Sequence, residues 1–177
     1  MRTQKFSNSK LKSTCQKIQL LITDVDGVLT DGGRYYSNSG ETLKKFHVRD
    51  GMGVNILLRN GIKTIIITKE NSKIVKIWSK EMNIHKTFSG IKNKESLLSK
   101  ICKLYSVNPS QIAYIGDDVN DIPLMNMVGL AVSPNDCDEI TKSHANYLCK
   151  LNGGNGAFRE VVNLIMKYRF PKTKSYY

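Results

Sequence analysis

Long hydrophobic runs are missing from this 177-residue chain. No apolar stretch approaches the roughly 20 residues that a membrane-spanning helix needs, so we expect no membrane partner. The N-terminus lacks the apolar core of a signal peptide, which favours a cytoplasmic location. The four cysteines show no CxxC spacing, which argues against a zinc site. With no repeats or low-complexity segments, the chain is most simply one domain with its own core.

Acidic residues are absent from both ends of the chain, although the formal net charge is +12. Residues 1–17 carry five basic side chains and residues 167–177 carry four, and removing these nine leaves only +3. We therefore predict a basic, flexible segment over residues 1–17, one domain over 18–168 and a polar tail over 169–177. Because the charge lies mostly at the ends, we do not expect nucleic acid as a partner, while anionic substrates are favoured.

Short apolar runs alternate with helix-length segments along the chain. Strands are predicted at 18–23, 63–68, 112–116 and 129–132, with a fifth at 145–149. Helices are predicted at about 51–60, 72–82, 93–105, 120–127 and 156–168. Strands that are apolar throughout and separated by helices indicate an α/β domain, with a doubly wound, Rossmann-like parallel sheet covered on both faces.

The segment 32–48 interrupts this alternation because it is too polar for a core strand. Two β-favouring pieces, 34–36 and 42–48, flank the turn sequence Ser37-Asn38-Ser39-Gly40. This pattern predicts a β-hairpin inserted after the first strand, and the spacing leaves no room for a separate cap domain. Ligands of open α/β sheets bind beyond the carboxyl ends of the strands, so the hairpin should lie beside the active site.

Carboxylates, a hydroxyl and a lysine are predicted to meet at that end of the sheet. These residues are Asp24, Asp26, Thr68, Lys94, Asp117, Asp118 and Asp121. Converging carboxylates favour protonation of one another unless a cation neutralises them, and Mg²⁺ is a cation that prefers such oxygen ligands. The set suits phosphoryl transfer, in which a carboxylate can act as the nucleophile.

The same residues resemble the haloacid dehalogenase-like phosphatases in four motifs, in order and on the expected elements. The matches are Asp24-Val25-Asp26-Gly27-Val28, then Thr68, then Lys94, then Gly116-Asp117-Asp118 with Asp121. Taken singly, Thr68 could be an ordinary strand residue and Lys94 an exposed helix lysine. The complete set of four favours the catalytic interpretation.

The resemblance implies a catalytic role for four of these side chains. Asp24 would be the nucleophile and Asp26 the general acid and base. Thr68 and Lys94 would hold the phosphoryl oxygens.

The resemblance also implies a Mg²⁺ site at the same place. Asp117 would bind the ion together with Asp24 and the backbone carbonyl of Asp26. Asp118 and Asp121 would support these ligands from outside the first coordination sphere.

Longer stretches resemble a small, capless branch of the family. They are "DVDGVLTDGG", "KKFHVRDGMG", "AYIGDDVNDIPLM" and "LNGGNGAFREVV". The branch includes phosphatases of 3-deoxy-D-manno-octulosonate 8-phosphate and of sialate-like nonulosonate 9-phosphates, and a domain of some acylneuraminate cytidylyltransferases. The resemblance implies a homotetramer assembled through the hairpins, in which a neighbouring subunit covers each active site.

Substrate contacts are the least determined part of the resemblance. The candidates are Gly27, Asp31, Gly32, Arg49, Asp50, Lys69, Glu70 and Arg159. Asp50 could instead cap a helix, and Arg159 could pair with a surface acid. The amides of "GGNGAFRE" could bind an anion or simply begin a helix.

One stretch departs from the octulosonate phosphatases, which usually carry Gly-Arg after the motif threonine. Here the sequence is "TKENS", with Lys69 and Glu70. Glutamate at this position resembles some nonulosonate 9-phosphate phosphatases, so both substrates remain open. Both are α-keto sugar acids with a terminal phosphate.

Two other functions stay open at this point. The chain could be a non-catalytic tetramerising domain, or a phosphatase of polynucleotide ends that uses its basic termini. A receiver-type signalling domain fits less well, because its acid pair and its phospho-accepting aspartate come in the opposite order.

Overall fold

The computed structural model describes residues 5–172 of the chain. The parts of the predicted terminal segments at residues 1–4 and 173–177 lie outside the described residues. Among the helices of residues 5–172, none combines the length and apolar character needed to cross a membrane.

A six-stranded parallel sheet forms the centre of the fold. Its strands are β1 (Leu20–Thr23), β4 (Lys63–Ile67), β5 (Lys86–Phe88), β6 (Ile112–Ile115), β7 (Leu130–Ser133) and β8 (Tyr147–Leu148). Their order across the sheet is β5-β4-β1-β6-β7-β8. Strand order therefore reverses between β1 and β6, as in doubly wound sheets, and this reversal creates a crevice at the carboxyl ends of the two strands. The predicted fold class is confirmed; β5 was not predicted, because three residues carry too little pattern.

Seven α-helices surround the sheet in the described chain. They are α1 (Asn8–Cys15), α2 (Val48–Arg59), α3 (Lys73–Glu81), α4 (Leu98–Tyr105), α5 (Ile122–Met125), α6 (Glu139–Lys142) and α7 (Ala157–Arg169). Single 3₁₀ turns lie at Lys94–Leu97, Pro109–Gln111 and Val119–Asp121. Helix α2 begins three residues before its predicted start, because the His47 imidazole caps it by accepting the Arg49 N–H at 3.2 Å.

Alternate side chains of each strand enter two different hydrophobic cores. Leu21 and Ile66 join the core that contains residues of α1, α2 and α7. Leu20 and Ile22 join the opposite core, against α4 and α5. Because side chains of a strand alternate between faces, strands covered on both sides are mostly apolar, and β1 and β6 are buried at every position.

Helix α1 lies within the segment predicted to be flexible. Leu11 and Cys15, one turn apart, are buried in the same core as α7, and the Ser7 hydroxyl caps the helix by accepting the Lys10 N–H. Residues 8–15 are therefore packed against the domain. The prediction failed here because two apolar residues among many lysines give a weak amphipathic signal.

The inserted hairpin consists of β2 (Tyr35–Ser37) and β3 (Gly40–Leu43), which pair antiparallel. Its second arm ends at Leu43 rather than at the predicted residue 48. The chain then turns inward, and Phe46 stacks on Trp78 with ring centroids 4.5 Å apart. Only the hairpin and α2 separate β1 from β4, so no cap domain interrupts the fold.

Candidate active site

Two aspartates follow the neighbouring strands at the crevice. Asp24 comes directly after β1, and its N–H donates to the Ile115 carbonyl at 3.0 Å, which continues the pairing with β6. Asp117 follows β6 two residues later, after Gly116. The sheet therefore brings together two acids that are far apart in the sequence.

Gly27 allows these acids to approach each other. Its φ of +80° lies in the left-handed region, and a Cβ atom built there would lie 2.0 Å from Asp117 Oδ2. Any other residue would be strained at this φ and would also displace the carboxylate. Glycine at this position is therefore required by the geometry of the site.

Lys94 reaches the acids from the 3₁₀ turn that precedes α4. Its fully buried Nζ lies 2.6 Å from Asp24 Oδ2 and 2.6 Å from Asp121 Oδ1. Burial alone would lower the pKa of Lys94, but Asp24 and Asp121 outweigh that effect and raise it. The lysine therefore stays charged and is not an exposed helix residue.

Asp121 lies at the bottom of the site and accepts hydrogen bonds from several donors. Besides Lys94, its carboxylate accepts the Tyr114 hydroxyl at 2.6 Å, the Asp117 N–H at 2.9 Å and the Asp118 N–H at 3.3 Å. Tyr114 was not singled out from the sequence, because a tyrosine within a buried strand is usually a core residue. Asp118 itself is exposed and caps the following turn through the Val119 N–H at 2.7 Å.

Three of the acids at this end of the sheet form a potential cation site. One carboxylate oxygen each from Asp24, Asp117 and Asp121 lies within 4.8 Å of the others. Burial, followed by repulsion between the acids, raises the pKa of Asp24 to about 7 and that of Asp117 to about 8. Asp117 Oδ1 is buried without a hydrogen-bond partner among the described residues. An oxygen-preferring divalent cation fits this donor set, because one lysine cannot neutralise three acids.

Asp26 lies at the edge of the same crevice but in a different ionic contact. Its Oδ1 forms a very short ion pair with Nζ of Lys44, which follows the hairpin. Lys44 is fully buried and was missed in the sequence, because the pair Lys44-Lys45 does not reveal which side chain points inward. Its pKa is lowered by burial but raised more strongly by Asp26 and Glu41.

An open pocket of about 360 Å³ covers these acids. Its lining consists of Asp24, Asp26, Gly27, Gly32, Arg34, Thr68, Lys69, Glu70, Asp117, Asp118, Val119 and Asn120. Thr68 lies at the end of β4, and its hydroxyl accepts the Glu70 N–H at 3.3 Å. The pocket thus joins three of the four motifs to the base of the hairpin, and Arg34 and Lys69 add cations to its rim. Lys94 is not part of the lining and reaches the site only through its contact with Asp24, so the expectation that it holds phosphoryl oxygens directly is not met.

Four other candidate residues are not brought into this pocket. Asp31 pairs with Lys45, which lies just after the hairpin and whose Nζ is 3.2 Å from Asp31 Oδ2. Arg49 and Arg159 line a separate cavity over α2 and α7. Asp50 is fully buried and accepts the Arg159 N–H at 2.8 Å, so it joins two helices rather than facing the crevice.

The glycine loop before α7 uses its amides within the protein. The Gly153 N–H donates to Asp136 Oδ1 at 2.9 Å and the Gly154 N–H to the Val28 carbonyl at 3.0 Å. A Cβ atom on Gly153 would lie 1.9 Å from the Gly27 carbonyl oxygen. These glycines permit close packing under the motif that contains Asp24, and the Gly153 and Gly154 amides are not available to an anion.

The sequence matches a known family over most of the catalytic motifs. A profile of the haloacid dehalogenase-like hydrolases matches residues 59–161, which include Thr68, Lys94 and Asp117. The chain belongs to this family. The resemblance inferred from the motifs is thereby confirmed.

Curated and solved relatives agree with the family assignment. The 3-deoxy-D-manno-octulosonate 8-phosphate phosphatase KdsC of Escherichia coli K12 is 40% identical over 151 residues, which are 85% of this chain and 80% of that protein. A crystal structure of the Yersinia pestis phosphatase is 37% identical, with a TM-score of 0.88 over 90% of this chain and 86% of that one.

A third relative was crystallised with ligands. The Moraxella catarrhalis 3-deoxy-D-manno-octulosonate 8-phosphate phosphatase, in complex with magnesium, phosphate and KDO, is 35% identical. It has a TM-score of 0.88 over 92% of this chain and 94% of that one. The haloacid dehalogenase-like fold of this chain therefore extends over nearly its whole length.

Proposed function

We propose that the chain is a Mg²⁺-dependent phosphatase that removes the terminal phosphate of an α-keto sugar acid, with 3-deoxy-D-manno-octulosonate 8-phosphate as the first candidate. The observation that carries the proposal is the meeting of Asp24, Lys94 and Asp117 under an open pocket. The names of the relatives, one of them crystallised with magnesium, phosphate and KDO, support this substrate and metal.

The first step transfers the phosphoryl group to the protein. An Asp24 oxygen attacks phosphorus while the bond between phosphorus and the sugar oxygen breaks, which gives an aspartyl-phosphate. Asp26, as a carboxylic acid, gives its proton to the leaving oxygen, so the sugar departs as an alcohol. Lys94 orients Asp24 through the contact at 2.6 Å.

The second step regenerates Asp24. Water attacks phosphorus, Asp26 takes the proton of that water, and the bond between phosphorus and Asp24 breaks to release phosphate. Thr68 and Lys69 lie on the pocket wall, where they can bind phosphoryl oxygens. Asp24, Asp117 and the Asp26 carbonyl would hold Mg²⁺, which would supply positive charge for the transferring phosphoryl group.

A panel of substrates tests the proposal. We expect hydrolysis of octulosonate 8-phosphate with Mg²⁺, reversible loss on chelation, and no turnover by Asp24→Asn although that variant folds. Asp138→Asn is the matched control, because Asp138 caps α6 and asparagine caps equally well. Asp24→Asn hydrolysing near the wild-type rate would contradict the nucleophile assignment.

Glu70 favours a second substrate, a sialate-like nonulosonate 9-phosphate. It lines the pocket, and its carboxylate lies 3.4 Å from Arg34 Nη2 of the hairpin. Its negative charge replaces the arginine usual in octulosonate phosphatases. The ratio of kcat/KM for the two sugar phosphates decides between them.

The same panel separates the remaining alternatives. A folded, Mg²⁺-loaded chain that hydrolyses none of the sugar phosphates would favour a non-catalytic tetramerising domain. Activity on a DNA 3′-phosphate that disappears when both basic ends are trimmed would favour a polynucleotide phosphatase.

We also propose a cytoplasmic homotetramer, as the resemblance to the capless branch implies. The hairpin supports this proposal because it exposes Tyr35, Tyr36 and Leu43. An open pocket beside such a surface would be covered by a neighbouring subunit.

A further inference from the structure

Lys44 occupies a buried position between two carboxylates beside the pocket. Its Nζ contacts Asp26 Oδ1, and it lies 3.0 Å from Glu41 Oε1. The Lys44 side chain has no exposed surface, whereas that of the adjacent Lys45 is 52% exposed. Burying a lysine is costly unless it is paired, so these two carboxylates determine where the ammonium sits.

Glu41 is itself held in place from two directions. The Ser72 hydroxyl, at the start of α3, donates to its Oε2 at 3.0 Å. Arg34 Nε, on the other arm of the hairpin, donates to its Oε1 at 3.3 Å. Lys44 therefore connects Asp26 to a fixed anchor that joins the hairpin to the loop after Thr68.

The contacts of Asp26 are confined to one oxygen. Lys44 binds Oδ1, and the Thr30 hydroxyl lies 3.5 Å from the same atom. Within residues 5–172 no hydrogen bond involves Oδ2, and Asp26 lines the pocket. Holding one oxygen from behind leaves the other available to a leaving group.

We propose that Lys44 is a positioning residue, which orients the Asp26 carboxyl so that Oδ2 faces the leaving oxygen of the substrate. Lys44 does not line the pocket, so it acts through Asp26 rather than on the substrate. This inference rests on the proposed function, in which Asp26 protonates the sugar oxygen as its bond to phosphorus breaks.

The role of Lys44 can be read from the leaving group. A sugar alkoxide is a strong base and must be protonated as it departs, whereas para-nitrophenolate leaves without a proton. For the sugar phosphate and for para-nitrophenyl phosphate alike, kcat/KM reports the steps up to the departure of the leaving group. We expect Lys44→Met to lower kcat/KM for the sugar phosphate about a hundredfold, because the general acid would be misplaced. The kcat/KM for para-nitrophenyl phosphate should change little, because its leaving group needs no proton.

Lys45→Met is the matched control, because Lys45 is adjacent, exposed and outside the pocket. It should leave both constants near the wild-type values. The ratio of the two constants within one preparation does not depend on the fraction of folded protein. If Lys44→Met does not fold, Glu41→Gln, which removes the anchoring charge with little change in shape, is compared in the same way.

A double-mutant cycle on the sugar phosphate alone provides a second readout. If Lys44 acts through Asp26, Lys44→Met should cause no further loss in an Asp26→Asn background. Equal losses on both leaving groups, or additive losses in the cycle, would overturn the role of Lys44 while the phosphatase function stands. A wild-type protein that hydrolyses no phosphate ester would overturn the proposed function, and this inference with it.

Discussion

Gly27 shows how one residue without a side chain sets the spacing of the charged groups. Its backbone passes so close to Asp117 that a Cβ atom would come within 2.0 Å of Oδ2. A carboxylate displaced from this position could no longer lie beside Asp24 to bind one cation. Cation binding therefore depends on a residue that contributes no ligand side chain.

Gly27→Ala is expected to impair the site more than the fold. Gly61→Ala is the matched control, because Gly61 has a similar φ, +77° against +80°, but nothing within 4 Å of its added Cβ. Both variants should lose about 1 kcal/mol of unfolding free energy from backbone strain. Only Gly27→Ala should lower kcat/KM, by about a hundredfold, and raise the Mg²⁺ concentration for half-maximal activity. Equal effects of the two substitutions on activity would contradict this assignment.

At the scale of elements, Asp50 joins the first turn of α2 to the start of α7. Its Oδ1 accepts the Arg159 N–H at 2.8 Å, but its Oδ2 is buried with no partner among residues 5–172. Burial raises the pKa of Asp50 from 3.8 to about 6, although the amides of Arg159 and Gly156 partly oppose this. The folded state is therefore more stable when the buried Asp50 is protonated.

The pH dependence of stability should report the burial of this carboxyl group. Between the unfolded pKa of 3.8 and the folded pKa of about 6, the unfolded chain releases the Asp50 proton and the folded chain keeps it. The Asp50 contribution is thus fully present below pH 3.8 and is lost as the pH rises through about 6. Relative to Asp50→Asn, the wild type should lose up to about 3 kcal/mol of unfolding free energy over this window.

Denaturant unfolding of both proteins at a series of pH values measures this loss. Asp138→Asn serves as the control for removing one carboxylate from an exposed helix start. A difference between wild type and Asp50→Asn that does not change with pH would show that Asp50 is ionised equally in both states.

At the scale of the whole molecule, the hairpin surface should determine assembly. Tyr35 and Leu43 are directly opposite each other in the strand pairing, so their exposed side chains share one face. A second copy of the chain that covers this face would remove apolar surface from water. This arrangement is consistent with the proposed tetramer.

Leu43→Asp is expected to convert the tetramer to smaller species, because a buried interface would have to accommodate an unpaired charge. Leu104→Asp on α4 is the control, since Leu104 is similarly exposed, 60% against 62%, but far from the hairpin in sequence and fold. Sedimentation equilibrium measures the mass of each variant. A wild-type protein that is monomeric at micromolar concentration would contradict the assembly.

Much of the architecture could be predicted because its signals are local. Three of the four residues of β1 are apolar and all four are buried, as expected of a strand covered on both faces, and Asp24 and Asp117 follow β1 and β6. Helix α1 and strand β5 could not be predicted, because their stability comes from packing rather than from a repeated pattern. The substrate candidates Arg49 and Asp50 came from the resemblance in "KKFHVRDGMG", whereas the fold turns Asp50 away from the crevice.

The sequence by itself determined the fold class, the family and the order of the motifs, because apolar periodicity and short motifs are properties of neighbouring residues. Only the tertiary structure decided that Lys44 contacts Asp26 and that Tyr114 binds Asp121. It also decided that Gly153 packs under Gly27. Strand order and burial determine which residues meet in these contacts. A linear sequence does not record which buried groups face one another.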